Sequence, residues 1–115
     1  MKVKVDRDGD VAVVSLSGKL MGGPEGEPVR EAIRKALDEG AKRFVVDLGE
    51  VSWINSTGLG ILIASHVSVT NAGGEMRVAR TSRKVHQLFM VTKLNTVFKT
   101  YGSVEEALAD WKKGE

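Results

Sequence analysis

Apolar and polar residues alternate along the first part of the chain, a two-residue period that is typical of β-strands. The pattern predicts strands over 2–6 and 11–17. Between them, Asp8 and Gly9 form a dipeptide that favours a tight hairpin turn. We therefore expect these two strands to pair in the antiparallel sense.

Farther along the chain, segments with a helical period alternate with short strand-like runs. Helices are predicted over about 28–39, 57–71, 82–90 and 104–113, and strands over 43–48, 75–79 and 96–99. Residues 18–27 are rich in glycine and are predicted to form a loop. Strands that alternate with helices pair in parallel, with helices on at least one face of the sheet. The prediction is a single α/β domain over 1–115, with a mixed, mostly parallel sheet and an antiparallel N-terminal hairpin.

The junction between the predicted strand at 43–48 and the next helix carries the most informative residues. Asn55, Ser56 and Thr57 separate the two patterns. Asn and Ser are preferred helix N-caps, because their side-chain oxygens accept bonds from N–H groups that the first turn leaves unpaired. A phosphoryl group on an exposed hydroxyl here would meet N–H donors and the positive end of the helix dipole. The sequence therefore predicts a candidate phosphorylation site.

Residues 55–60, with the sequence NSTGLG, resemble the Asp-Ser-Ser/Thr-Gly-Leu-Gly signature of the STAS domain, the family of bacterial anti-sigma factor antagonists. The resemblance covers nearly the whole chain and implies a mixed sheet with helices mainly on one face. It also implies that Ser56, with Thr57 as the alternative, is phosphorylated by an anti-sigma factor with serine kinase activity. A metal-dependent serine phosphatase would reverse this, and the unphosphorylated form would bind the anti-sigma factor.

The sequence departs from the family signature at Asn55, where the family usually has Asp. Asn can still cap the helix, but it removes a carboxylate beside the acceptor hydroxyl. Two functions remain open. The chain is either an antagonist switched by Ser56, or a constitutive STAS scaffold or accessory subunit of a signalling or transport complex, in which Ser56 only caps the helix.

Apolar residues near this junction are candidates for a partner surface. Met21, Trp53 and Leu59 are proposed as partner-binding residues, because phosphorylation can disrupt binding through an exposed apolar group beside the modified residue. Core packing is the alternative interpretation of Leu59. Asn55, Thr57 and Gly58 are assigned to the switch loop and helix cap. The following helix continues the apolar pattern through Leu59, Leu62, Ile63, His66 and Val67.

Composition argues against several other classes of protein. With 42% hydrophobic and 28% charged residues, the 115-residue chain fits a globular domain. The absence of cysteine excludes disulfides and is compatible with a cytoplasmic location. No apolar run approaches the ~20 residues that cross a bilayer. The 17 basic and 15 acidic residues are interleaved, which disfavours direct nucleic-acid binding. The basic group at Arg77, Arg80, Arg83 and Lys84 is interpreted as a solvated strand end and helix start.

An enzymatic function is not predicted. A nucleophile needs an adjacent base, and the chain has only His66 and His86 to supply an imidazole. His66 is expected to be a hydrogen-bonded structural residue, and His86 is expected on the surface. Neither lies near a carboxylate cluster in the sequence, so no metal site and no cofactor are expected.

Overall fold

The computed structural model describes residues 1–113, except for the side chains of Glu25, Lys112 and Lys113. The strands are β1 (Lys2–Asp8), β2 (Val11–Leu20), β3 (Arg43–Ile54), β4 (Glu75–Ala79) and β5 (Thr100–Tyr101). The α-helices are α1 (Glu27–Asp38), α2 (Ser56–Asn71), α3 (Arg83–Val91) and α4 (Val104–Lys113). Short 3-10 helices lie at Gly23–Gly26 and Leu94–Thr96.

The strands form one mixed sheet in the order β1-β2-β3-β4-β5. β1 and β2 pair antiparallel, and the other neighbouring strands pair in parallel. The hairpin turn contains Gly9 at φ 60°, a left-handed conformation that glycine adopts without steric cost. The predicted α/β class and strand pairing are confirmed.

The two faces of the sheet bury separate cores, because successive strand residues point to opposite sides. Val14, Val46 and Val78 lie in the main core with apolar residues of α1, α2 and α3. Val45 and Ala79 face the other way and pack against α4. The helices therefore lie mainly on one face, as the family resemblance implies, and α4 lies on the opposite face.

β2 and β3 are longer than their patterns predicted. Their parallel pairing continues to Leu20 and Ile54, through register shifts at Ser15/Ser17 and Gly18/Lys19. Such irregularities change which face a side chain occupies, so strict alternation stops before the strand does. The predicted boundaries at 17 and 48 were therefore too early.

The predicted strand at 96–99 was wrong. Part of this segment belongs to the 3-10 helix Leu94–Thr96, and the last strand is Thr100–Tyr101. Phe98 is 1% exposed and lies in the main core. The apolar residues that suggested a strand are there because this connection packs beneath the helices.

Arg77 links β4 to α4 and is only 4% exposed. Its Nε donates a hydrogen bond to Glu75 Oε2 at 2.7 Å, and its Nη1 donates to the Ala107 carbonyl at 2.9 Å. The guanidinium also lies 3.9 Å from the centroid of the Trp111 ring. The interpretation of the basic group as solvated was therefore wrong for Arg77, which is buried. Its cation–π and hydrogen-bonding partners compensate the cost of burying the charge.

Candidate functional site

The candidate site lies where β2 and β3 end and α2 begins. The last pairs of the two strands are Lys19 with Trp53 and Leu20 with Ile54. Asn55 follows at once, and its N–H donates to the Leu20 carbonyl at 3.3 Å. The strand that was predicted to end at residue 48 therefore continues to Ile54, and a single residue joins it to the helix. This short connection fixes the helix start against the end of β2.

Asn55 is the N-cap of α2. Its backbone is extended, with φ −95° and ψ −179°, and its Oδ1 accepts a hydrogen bond from the Gly58 N–H at 2.8 Å. Its carbonyl accepts from the Leu59 N–H at 2.9 Å, the first bond of the helix ladder. The amide side chain thus satisfies one of the N–H groups that a helix start leaves unpaired, and helical geometry leaves those of Ser56 and Thr57 without an intrahelical acceptor.

Ser56 and Thr57 are both exposed at this helix start, but their surroundings differ. The Cβ and Cγ2 of Thr57 lie against Gly22, so closely that a Cβ at Gly22 would overlap them. Gly22 is itself buried, with φ 85°. Thr57 is therefore packed on the loop that follows β2, whereas Ser56 is the exposed first residue of the helix.

Gly58 lies directly beneath the end of β2. A Cβ added at this position would overlap the carbonyl oxygen of Leu20, which is a backbone atom that cannot turn away. The backbone of β2 therefore approaches Gly58 closely, through the Leu20 carbonyl. Glycine is required here by packing, since Gly58 does not have a positive φ.

The three predicted partner-binding residues separate into two groups. Met21 is 38% exposed and directly follows β2, and Trp53 is 42% exposed and is the penultimate residue of β3. Leu59 is only 7% exposed and belongs to the main core. The predicted surface is therefore corrected at Leu59, where core packing is the observed role.

One side of α2 carries exposed apolar residues, which the sequence pattern did not distinguish from the buried apolar residues of the same helix. Ile63 and Val67 are 39% and 48% exposed. They follow Ser56 and Gly60 along one side of the helix, at the spacing that places residues on a common face. We call Ser56, Gly60, Ile63 and Val67 the outer face of α2. Counting helical positions from Ser56 would have found it.

The two histidines differ from each other in environment. His66 Nδ1 is buried without a hydrogen-bond partner in the part of the chain that is described, so the predicted hydrogen-bonded role was wrong. Its ring packs edge-on against Phe98, with centroids 5.2 Å apart. His86 is exposed, as predicted.

Among residues 1–113, His, Asp and Glu side chains do not gather into a group of three or more that could hold a metal ion. Across the same range, the helices are too short or too polar to cross a membrane.

Comparisons with known proteins match nearly the whole chain. The family model for the STAS domain matches residues 2–107. The anti-sigma F factor antagonist of Paenibacillus polymyxa is 24% identical over 115 residues, covering 96% of this chain and 94% of that protein. An anti-sigma factor antagonist from Mycobacterium paratuberculosis has a crystal structure with a TM-score of 0.79 and 25% identity, covering 95% of this chain and 92% of that one. The Bacillus cell fate determinant SpoIIAA, in its phosphorylated form, has a TM-score of 0.74 and 17% identity, covering 95% and 98% of the two chains.

Proposed function

This chain belongs to the STAS domain family, and from that premise we propose that it is an anti-sigma factor antagonist whose binding is switched off by phosphorylation of Ser56. The observation that carries the proposal is an exposed serine at the first position of α2, a helix that also exposes the apolar side chains of Ile63 and Val67. The names of the relatives support it: two are anti-sigma factor antagonists, and SpoIIAA has been solved in a phosphorylated form.

A phosphate on Ser56 is compatible with the fold. The first turn of α2 carries no acidic residue that would repel it. The positive end of the helix dipole favours a negative group by about 0.3–1 kcal/mol, and N–H groups of the first turn can donate to it. Phosphorylation is therefore expected to change the surface rather than unfold the domain.

Ser56 is favoured over Thr57 as the acceptor. A kinase must bring the attacking hydroxyl in line with the phosphoryl group, so the side chain has to be accessible and free to rotate. The packing of Thr57 against Gly22 restricts that side chain. Ser56 is exposed at the helix start and occupies the position that the family signature assigns to the acceptor.

The proposed partner surface combines Ser56 with exposed apolar residues from the strand ends and from α2. Met21 and Trp53 lie on the strand side, and Ile63 and Val67 continue along the outer face of α2. At 1.5 Å per residue, Val67 lies about 16 Å along the helix from Ser56, a span that one protein partner can cover. A phosphate of charge about −1.5 to −2 would have to be desolvated within that contact, which would weaken binding.

We assign two partners to this surface in the proposed cycle. An anti-sigma factor with serine kinase activity would bind the free form and phosphorylate Ser56, and a metal-dependent serine phosphatase would restore it. Asn55 supplies the cap without a carboxylate, so the acceptor hydroxyl has one fewer adjacent charge than in the usual family signature. We expect this difference to affect the rate of phosphorylation rather than the fold.

Phosphorylation of the purified chain tests the proposal. The chain is incubated with the partner kinase and ATP, and intact mass followed by peptide mapping locates the phosphate. We expect one phosphate, on Ser56, in the wild type and in Thr57→Ala, and none in Ser56→Ala. Phosphate only on Thr57, or no phosphate in the wild type, would contradict the proposed switch.

A further inference from the structure

Within residues 1–113, β1 is an edge strand of the sheet and pairs with β2 alone. An edge strand presents a row of backbone N–H and C=O groups on which another strand can pair. β1 is seven residues long, and its sequence KVKVDRD is exposed except at Val3. Proteins commonly protect such edges with charge. On one face of β1, however, the charged residues are sorted by sign along the strand.

The order of the charges makes β1 complementary to itself. Lys2 and Lys4 lie in its first half, and Asp6 and Asp8 lie in its second half. Their partners on β2 are Ser17, Ser15, Val13 and Val11 in that order. These four charged residues are alternate residues of one strand, so they lie on the same face of the sheet, whereas Arg7 lies on the other face. Reversing the strand about its midpoint therefore places lysines opposite aspartates.

We propose that a second copy of this chain pairs with β1 in the antiparallel sense, about a two-fold axis at Val5. A two-fold axis normal to the sheet keeps each side chain on the same face of the joined sheet. Because side chains alternate between faces along a strand, the residue numbers of two opposed residues must differ by zero or an even number. With Val5 opposite its symmetry mate, Lys4 faces Asp6 and Lys2 faces Asp8 of the other copy. The two sheets then join into one continuous sheet.

The neighbouring registers are disfavoured by like charges. Moving the axis to Lys4 would place two lysines directly opposite each other, and moving it to Asp6 would do the same with two aspartates. Like charges directly opposite each other destabilise a strand pair, whereas opposite charges stabilise it by about 0.2–1 kcal/mol. The register at Val5 gives four opposed charge pairs by symmetry, because each lysine–aspartate pair occurs twice.

The other face of β1 also fits this arrangement. Val3, Val5 and Arg7 line a groove between the strand and α1, which contributes Ala32 and Lys35 among other residues. Val5 is 36% exposed at the proposed axis, so pairing would place two valines in contact across it. Arg7 is held beside α1 by a 3.1 Å hydrogen bond from Nη1 to Glu39 Oε1. The valine contact on the face toward α1 and the charge pairs on the other face would both stabilise the dimer.

This dimer is independent of the proposed switch. β1 contributes none of the residues assigned to the Ser56 site or to the outer face of α2. A monomeric chain could still be an antagonist, and a dimeric chain could lack the switch. Failure of one proposal therefore leaves the other standing.

Charge reversal with complementation tests the pairing. Sedimentation velocity of the wild type at low salt, up to about 1 mM chain, is expected to show a monomer–dimer equilibrium. Lys4→Asp and Asp6→Lys alone each create like-charge pairs across the interface. Each should raise the dimer dissociation constant by about tenfold or more, which corresponds to about 1.4 kcal/mol. An equimolar mixture of the two variants restores opposite charges at every pair and should dimerise again. Lys84→Asp on α3 is the matched control and should behave as the wild type.

A control for folding and three possible results complete the test of the proposed dimer. Circular dichroism melting of each variant establishes that it is folded, and the mixture supplies a gain of association that misfolding cannot mimic. A wild type that remains monomeric throughout the concentration range would overturn the proposal. Single variants that dimerise like the wild type, or a mixture that fails to dimerise, would overturn it as well.

Discussion

The carbonyl oxygen of Leu20 lies over Gly58 so closely that no Cβ fits between them. The same oxygen accepts a hydrogen bond from the Asn55 N–H at 3.3 Å. The end of β2 is thereby fixed against the first turn of α2. Because Ser56 lies between Asn55 and Gly58, this contact also determines where its hydroxyl is presented.

Replacing Gly58 should therefore disturb the domain even with the smallest side chain. Gly58→Ala is expected to lower the free energy of unfolding by about 1–3 kcal/mol, because the methyl group would displace a backbone carbonyl. Gly60→Ala is the matched control, since a Cβ there meets nothing within 4 Å. In a helix interior the control should be more stable by about 0.5–1 kcal/mol. Urea unfolding curves measure both, and equal stability of the two variants would contradict the packing argument.

Two substitutions distinguish the helix-capping role of Asn55 from its effect on phosphorylation of Ser56. Asn55→Ala should lower the free energy of unfolding by about 1 kcal/mol, because the Gly58 N–H loses its side-chain acceptor. Asn55→Asp should retain that stability while increasing phosphorylation by the partner kinase. Urea unfolding and initial phosphorylation rates test the two effects independently. If the Asp variant is phosphorylated at the wild-type rate, the missing carboxylate has no role at this site.

Glu75 should make stability depend on pH in the acidic range. Burial raises the pKa of Glu75, but hydrogen bonds from Arg77 and Trp111 and the charge of Arg77 outweigh it, so the net pKa lies below its ordinary value of 4.5. The stabilisation is present above 4.5 and is lost as the pH falls through the folded-state pKa. Glu75→Gln should therefore be less stable than the wild type at neutral pH, with the difference shrinking in acid. Glu31→Gln on α1 is the control. A stability difference between Glu75→Gln and the wild type that does not change with pH would contradict the lowered pKa of Glu75.

Tyr101 is the only tyrosine in the chain, so its ionisation can be followed without interference from another phenol. Burial, followed by its 2.6 Å hydrogen bond to Asp110, raises the pKa of Tyr101 to about 12. The associated stabilisation is present below the ordinary value of 10 and is lost as the pH rises through about 12. Ultraviolet absorbance titration should place the native midpoint near the higher value, and Asp110→Asn should lower it. A native midpoint near 10 would show that the phenol is not held in this way.

Regular patterns allowed much of the fold to be predicted. The bounds of β4 and α4 agreed with their periodicity, and the antiparallel hairpin followed from Asp8 and Gly9. The errors occurred where tertiary structure overrides the local pattern. β3 continues past Gly49 through shifts in register, and Phe98 is buried in a connection that has no strand of its own.

The candidate site was predictable in position but not in detail. Asn55 carried a recognisable cap signal, and the following residues carried the family resemblance. Distinguishing Ser56 from Thr57 depended on the contact with Gly22, which joins residues that are far apart in the sequence. Separating buried Leu59 from exposed Ile63 required knowledge of how α2 lies on the sheet. Neither fact is encoded in the local pattern.

Binding of Ser56→Asp and Ser56→Ala to the candidate anti-sigma factor tests the central claim most directly. Both variants should remain folded, because a carboxylate at a helix start is stabilised by the dipole and alanine suits a helix. Isothermal titration calorimetry, with melting curves as the control for folding, should show wild-type affinity for the alanine variant. The aspartate variant should bind at least about tenfold more weakly, a difference of about 1.4 kcal/mol. Equal affinities for the two variants would contradict the switch and favour a constitutive scaffold.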